Sequence, residues 1–219
     1  MGNLDQITPS DKSIQEFLNE GKTIFQDFIF SSENSHHTVA LISSLANTKG
    51  GILIVGVNSK GKVVGVLPKE EEENIRFILQ NFCTVNIEVF FTQQTHQNKF
   101  VLLVNVPKSE NKIGALSIKA TPHFFVRSFS GEVFEVNKII EKSWLLANKK
   151  VAFDSELNSE ENKIMLVLSS SRLTISQLYK LVEAKKSNVD TLLSGLIAKG
   201  FVCYEFDNMH VVYFLMEEF

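Results

Sequence analysis

A Gly-Gly pair set between a helical pattern and an apolar strand constrains this chain more than any other feature. Val39, Ile42, Leu45 and Ala46 recur at helical spacing within Ser35–Thr48. Ser32–Asn34 precede them and supply side chains that cap a helix start. Gly50-Gly51 ends the helix, because glycine takes a left-handed backbone at a helix C-terminus without steric penalty. The near-continuous apolar run Ile52–Val57 follows at once and predicts a strand covered on both faces. Lys60-Gly61 then turns the chain into Val63-Val64-Gly65-Val66. Asn47, Gly50 and Gly51 are read as structural turn residues.

The flanking segments extend this into an α+β pattern. Pro9-Ser10-Asp11 ahead of Ile14, Phe17 and Leu18 predicts a short capped helix. Thr23–Phe30 alternates as a strand. After Pro68, Glu70–Glu73 suit the positive N-terminal end of a helix whose apolar face is Ile75, Ile78, Leu79 and Phe82. Ile87–Thr95 and Phe100–Val106 read as strands joined through Gln97-Asn98. A polar loop, Pro107–Gly114, precedes short strands near Ser117–Ala120, Phe124–Ser128 and Glu132–Glu135. A helix near Asn137–Ala147 closes this first domain, whose sheet is expected to be mixed and mostly antiparallel.

The periodicity breaks over residues 149–158, a polar linker. Beyond it the rhythm changes to three helices and a hairpin. Ser159-Glu160-Glu161-Asn162 starts the first and Thr174-Ile175-Ser176-Gln177 the second. The third carries Val189, Leu192, Leu193, Leu196 and Ile197 at i, i+3, i+4, i+7 and i+8. Phe201–Phe206 and His210–Leu215 are strands joined at Asp207-Asn208-Met209.

Charge and composition narrow the function classes. A net charge of -3 does not fit a histone-like coat on DNA, so nucleic-acid binding has to come from a local patch. No apolar run approaches the roughly 18 residues that a membrane span needs. The polar start Met1-Gly2-Asn3-Leu4-Asp5-Gln6 lacks the basic and apolar regions of a signal peptide. Thr8-Pro9 does not suit a myristoylation signal after Met1-Gly2. Cys83 and Cys203 read as free thiols of a reducing, cytoplasmic compartment.

The run Ala46-Asn47-Thr48-Lys49-Gly50-Gly51 with Gly56-Val57, Gly61 and Gly65-Val66 resembles the Schlafen-type AlbA domain, found in bacterial regulators and nucleic-acid-processing proteins. The resemblance covers roughly Asn19–Leu146. Leu193–Val202, with Leu196-Ile197-Ala198-Lys199-Gly200-Phe201, is similar to a recognition helix entering the wing of a winged helix. The expected architecture is a Schlafen-type AlbA domain over 10–148, a linker over 149–158 and a winged-helix domain over 159–219.

The resemblance also implies where chemistry would sit. Glu20 and Asp27 match the two acidic positions of family members that cleave RNA, but the lysine position holds Ile29 and the third carboxylate position holds Asn58. Metal-dependent hydrolysis needs clustered charge on the cation and the phosphate, so Glu20, Asp27 and Asn58 read as a degenerate set and no catalytic site or cofactor is expected. A metal-dependent nuclease remains an alternative. Gly56–Lys62 fits G-x-x-x-x-G-K, but it lacks the Ser/Thr of a P-loop and precedes a strand pattern rather than a helix. Adjacent His36 and His37 point about 100° apart on a helix and share no metal face; His96, His123 and His210 lie far away in sequence.

Candidate nucleic-acid contacts are Lys49, Lys60 and Lys62 around the Gly-Gly turn and hairpin, and Arg127 in Phe124-Phe125-Val126-Arg127. Arg127 fits either phosphate or a carboxylate such as Glu20 or Asp27. In the third C-terminal helix Lys185, Lys186, Ser187, Asn188 and Thr191 occupy the end that a recognition helix uses. From Asp154 onward, however, six basic residues face ten acidic ones. The expected function is a non-enzymatic, dimeric nucleic-acid-binding regulator, DNA being favoured over RNA. The alternative is a scaffold whose winged helix binds a protein partner.

Overall fold

The computed structural model describes residues 12–117, 120–148, 156–207 and 210–216. The chain divides into two compact units, residues 1–135 and 136–219.

The first unit runs α1 (Ile14–Glu20), β1 (Gln26–Ile29), α2 (Ser35–Thr48), β2 (Gly51–Val55), α3 (Pro68–Phe82), β3 (Phe90–His96), β4 (Lys99–Val106), β5 (Gly114–Leu116), β6 (Pro122–Arg127) and β7 (Val133–Glu135). Its main sheet has the order β1-β2-β4-β3. β1 and β2 are parallel, with Asp27 opposite Leu53, and α2 makes the crossover that a parallel pair requires. The other pairs are antiparallel, as is the small β5-β6-β7 sheet.

Strand alternation explains the layers. On one face Leu53 and Val55 of β2 and Leu102 and Val104 of β4 pack with Leu41, Ile42 and Leu45 of α2 and Ile75 and Leu79 of α3. On the other face Ile54, Val101 and Leu103 pack with Ile14 and Phe17 of α1. The central strand is thus covered on both sides, as its unbroken apolar run predicts. Full burial of each such side chain contributes about 1.5–3 kcal/mol.

Helix ends follow local chemistry. Ser13 and Glu16 form a reciprocal capping box on α1, and Asn34 caps α2 through the His37 N–H. In α3, Glu71 does more than favour the helix dipole: its Oε2 accepts from the Ser32 N–H at 2.9 Å and from the Ser32 hydroxyl, tying α3 to the loop before α2.

Several boundaries depart from the sequence reading; the strand expected from Ile87, for example, starts at Phe90. The cap of α1 is Ser13, whereas Pro9, Ser10 and Asp11 lie outside the described residues. β1 starts only at Gln26, because Thr23–Phe25 form a tight turn in which the Phe25 N–H donates to Thr23 Oγ1. The strand expected near Ser117–Ala120 lies at Gly114–Leu116; the Ser117 N–H donates to the Thr121 carbonyl at 2.9 Å, and residues 118–119 lie outside the described set.

The second unit runs α4 (Lys138–Asn148), α5 (Ser159–Leu168), β8 (Leu173–Thr174), α6 (Ile175–Leu181), α7 (Lys186–Ala198), β9 (Val202–Asp207) and β10 (His210–Leu215). Its antiparallel sheet has the order β8-β10-β9. Ile164, Leu168, Leu178, Val189, Leu193, Leu196 and Tyr213 form the core. A capping box at Thr174 starts α6 where the sequence places it, and α5 is capped by Asn158, one residue before the expected Ser159.

α4, assigned by the sequence to the first domain, belongs to the second unit. Ile139 joins that core, the Asn137 amide donates to Tyr213 Oη at 2.8 Å, and Trp144 Nε1 donates to Tyr204 Oη at 3.1 Å. The domain boundary therefore falls at 135/136 rather than in the linker. Residues 149–155 of that linker, and residues 208–209 of the β9–β10 turn, lie outside the described residues.

Candidate functional site

The Gly-Gly turn is a point of backbone contact. Gly50 has φ +76°, and a Cβ there would lie 2.7 Å from the Lys108 backbone nitrogen. A Cβ on Gly51 would overlap the Phe25 carbonyl oxygen, which accepts the Ile52 N–H at 2.8 Å. Glycine is thus required by clearance as well as by φ.

Asn47, 4% exposed, clamps three elements. Its Nδ2 donates to the carbonyls of Ile113 (2.8 Å) and Phe125 (2.9 Å), and its Oδ1 accepts from the Ile113 N–H (2.7 Å). The last turn of α2 is thereby fixed to β6 and to the residue before β5.

The candidate carboxylates have other partners. Asp27 is 1% exposed; its Oδ2 accepts from Arg127 Nη2 at 2.7 Å, and its Oδ1 pairs with Lys22 Nζ at 2.8 Å and accepts the Phe28 N–H at 2.7 Å. Glu20 is an exposed residue paired with Lys12. Asn58 Oδ1 accepts the N–H groups of Lys60 and Lys62, both at 3.0 Å, and so shapes the hairpin. Among the described residues no group of three or more His, Cys, Asp or Glu side chains is placed to hold a metal ion. After Gly61-Lys62 the chain runs extended, with Val57 bridged to Val63, and no helix begins until Pro68.

Arg127 corrects one assignment. Its side chain is fully buried, and Nη2 holds Asp27 and the Gly131 carbonyl (2.6 Å). It serves as the internal partner of Asp27, which the sequence left open, and burial removes it from direct phosphate contact. Its Nε and Nη1 are buried without a hydrogen-bond partner.

Lys49 is exposed at the C-cap of α2, and Lys60 and Lys62 are exposed on the hairpin. Sequence reasoning missed two lysines of the 107–113 loop. Lys112 Nζ donates to the Asn47 carbonyl at 3.1 Å, and burial followed by the nearby Lys108 charge lowers its pKa. Lys108 is exposed, its backbone against Gly50. The sequence offered only a polar loop; its return to the C-terminus of α2, where cations are favoured, is a tertiary feature.

In the second unit Lys185, Lys186, Ser187, Asn188 and Thr191 are all exposed on the N-terminal part of α7. Lys186 Nζ lies 5.3 Å from the Tyr179 ring centroid. Thr191 Oγ1 donates to the Ser187 carbonyl and accepts from Lys142 Nζ of α4, which adds a cation the sequence reading did not include. Asp190 accepts a hydrogen bond from Tyr179, whose hydroxyl is pushed up to about 12 by burial and by that carboxylate. At the base of the β9–β10 hairpin, Arg172 pairs with Glu205 at 2.6 Å and lies 4.1 Å from the Phe214 ring centroid.

An α+β unit with a parallel β1–α2–β2 crossover, closed by a Gly-Gly turn and an asparagine clamp, defines the class of domain. The chain belongs to the Schlafen AlbA_2 family, whose sequence profile matches residues 22–133, just over half of the 219 residues. The chain is similar to the solution NMR structure of the N-terminal domain of an ATP-dependent DNA helicase RecG-related protein from Nitrosomonas europaea. The identity is 19% and the TM-score 0.38, over 45% of this chain and 75% of that one. It is also similar to the crystal structure of the DIP2311 protein from Corynebacterium diphtheriae, at 16% identity and a TM-score of 0.38, over 64% of this chain and 36% of that one. No curated protein matches the chain. Among the described residues no helix is long and apolar enough to cross a membrane.

Proposed function

We propose that this protein is a cytoplasmic, dimeric nucleic-acid-binding regulator that leaves its ligand uncut, and that its second unit is a winged helix. The observation that carries the reading is the element order α5-β8-α6-α7-β9-β10 with sheet order β8-β10-β9. That order supports a recognition role for α7, whose N-terminal face exposes Lys185, Lys186, Ser187, Asn188 and Thr191. Non-cleavage is supported by the partners at the family's acidic positions. Asp27 is neutralised by Arg127 and Lys22, and the Asn58 amide brings no charge and is bonded to its own turn. Such groups hold a divalent cation poorly.

The test is fluorescence anisotropy of labelled duplex DNA, single-stranded DNA and RNA with the full chain, at two salt concentrations, with and without magnesium. The expected outcome is binding that weakens as salt rises, with intact nucleic acid on a gel. Magnesium-dependent cutting by the wild-type chain would establish the nuclease alternative instead.

A protein-docking role for the second unit is favoured by two observations. Arg172, the cation beside the hairpin, is engaged by Glu205 and Phe214, and Leu166 on α5 is 73% exposed. Under that reading nucleic acid binds to the first unit alone, and Lys185→Ala/Lys186→Ala leaves affinity unchanged.

A further inference from the structure

Phe129 is 76% exposed, more than any other large apolar side chain among the described residues, and Phe25 is 55% exposed. Both sit on turns that meet. Gly131, at φ +86°, lies so close to Thr23 that a Cβ on it would be 2.7 Å from the Thr23 nitrogen and oxygen. Phe129 and Phe25 are each two residues from that contact, within about 7 Å of it along the chain. The Gly50-Gly51 turn touches the same place, because Gly51 packs on the Phe25 carbonyl.

Both turns are closed by hydrogen bonds. The Ser128 N–H donates to the Glu132 carbonyl at 2.9 Å and the Gly131 N–H to the Ser128 carbonyl at 3.1 Å. The Phe25 N–H donates to Thr23 Oγ1 at 3.1 Å and its carbonyl accepts from Ile52. Little backbone entropy is lost when a ligand meets loops already fixed.

Charges of both signs border the two rings: Glu132 is exposed on the Phe129 turn, opposite the cations around it. Beneath the Phe129 turn the Arg127 guanidinium holds the Gly131 carbonyl, and together with Lys22 it sets two cations against the single Asp27 carboxylate. Lys22 is 56% exposed. Lys49 and Lys108 are exposed beside the Gly-Gly turn. Exposed aromatic rings bordered by flexible cations suit a strand with free base faces and a charged backbone. In a duplex the base faces are stacked on one another and only the phosphates are available.

We propose that the Phe25–Phe129 end of the first unit is a stacking platform for single-stranded nucleic acid, with Lys22, Lys49 and Lys108 taking the phosphates. The proposal rests on the nucleic-acid reading above and assigns it a strand form and a place.

The experiment is anisotropy of labelled oligothymidylate and of a duplex of equal length against the full chain, for wild type, Phe25→Ala, Phe129→Ala and the double variant. Both residues are exposed, so the variants are expected to fold; circular dichroism checks this. Each single change should weaken single-strand binding about 5- to 150-fold, the range for losing one base–aromatic stack, and duplex binding should change far less. Phe129→Trp should retain affinity, and oligothymidylate should quench its indole emission beyond any change at Trp144 in the wild type.

Equal single-strand affinity for wild type and double variant would overturn the platform and leave the nucleic-acid reading standing. No binding of either strand form by wild type at low salt would overturn both. A double variant that loses self-association while its single-strand affinity is unchanged would assign the rings to a contact between copies and overturn the platform.

Discussion

Removing the charge of Arg127 should destabilise the first unit by about 3–5 kcal/mol, the range for breaking one partner out of a buried ion pair. The side chains of Arg127 and Asp27 are 0% and 1% exposed. In Arg127→Met, Asp27 retains Lys22, but that lysine is 56% exposed and its screened pairing contributes at most about 1 kcal/mol. The Gly131 carbonyl loses its 2.6 Å donor, at about 1 kcal/mol. Methionine fills much of the arginine volume, so cavity effects stay small. Loss of the unpartnered Nε and Nη1 donors offsets part of the penalty, which places the expected value near the lower end of the range, about 3 kcal/mol. Asp27→Leu should cost a similar amount by stranding the guanidinium. The double variant Asp27→Leu/Arg127→Met removes both charges and should lose at least about 2 kcal/mol less than the sum of the singles. Urea unfolding followed by far-ultraviolet circular dichroism measures all four proteins, with Trp144, the one tryptophan, reporting on the second unit. A single-variant loss under about 1 kcal/mol, or additivity within about 0.5 kcal/mol, would refute the claim that this pair is a coupled, desolvated unit.

Four further outcomes follow from the geometry. Asn47→Ala leaves the Ile113 N–H and two carbonyls without their partner; a loss of about 2–4 kcal/mol is expected in the same unfolding assay. Gly51→Ala puts a methyl group on the Phe25 carbonyl oxygen, and this variant should fail to give soluble folded protein on expression. Burial pushes the Cys83 thiol up to about 12, so Cys83 should resist alkylation by iodoacetamide at pH 8 until the protein is denatured, as read by peptide mass spectrometry. Glu161 has its pKa lowered from an ordinary 4.5: burial opposes ionisation, and the Lys199 ammonium and the Asn158 N–H outweigh it. A depressed folded value means stabilisation present above pH 4.5 and lost as pH falls through the lower folded value. Acid titration of the second unit by Trp144 fluorescence should show this loss, and Glu161→Gln should flatten it.

Local signals carried the elements well. The Ser35–Thr48 helix was legible because an apolar period, an Asn34 cap and a Gly-Gly stop coincide, and the structure has those bounds. The Thr174 capping box was legible from Thr174-Ile175-Ser176-Gln177, whereas the cap of α5 is Asn158, one residue before the expected Ser159. Tertiary choices were not. The apolar face of α4 suits either core in sequence, and it is Ile139 in the second core and the bonds to Tyr213 and Tyr204 that assign it to the second unit. Arg127 and Asp27 are 100 residues apart, and the Asn47 clamp reaches 66 and 78 residues ahead. No periodicity encodes such distances. Lys108 and Lys112 read as ordinary loop lysines until the 107–113 loop was seen to return to the end of α2.

The Gly50-Gly51 turn has a consequence for how sequences of this kind are read. The two glycines act as a gauge of the gap between neighbouring backbones, since any larger residue would wedge the turn away from Phe25 and Lys108. A signature anchored on them therefore sorts proteins by clearance, and a match reports the scaffold. Position 58 lies on a hairpin, where its side chain accepts two N–H groups of its own turn, and is released from that gauge. A carboxylate oxygen there would accept the same two N–H groups as the asparagine does, so exchange between the two is expected to leave the turn intact.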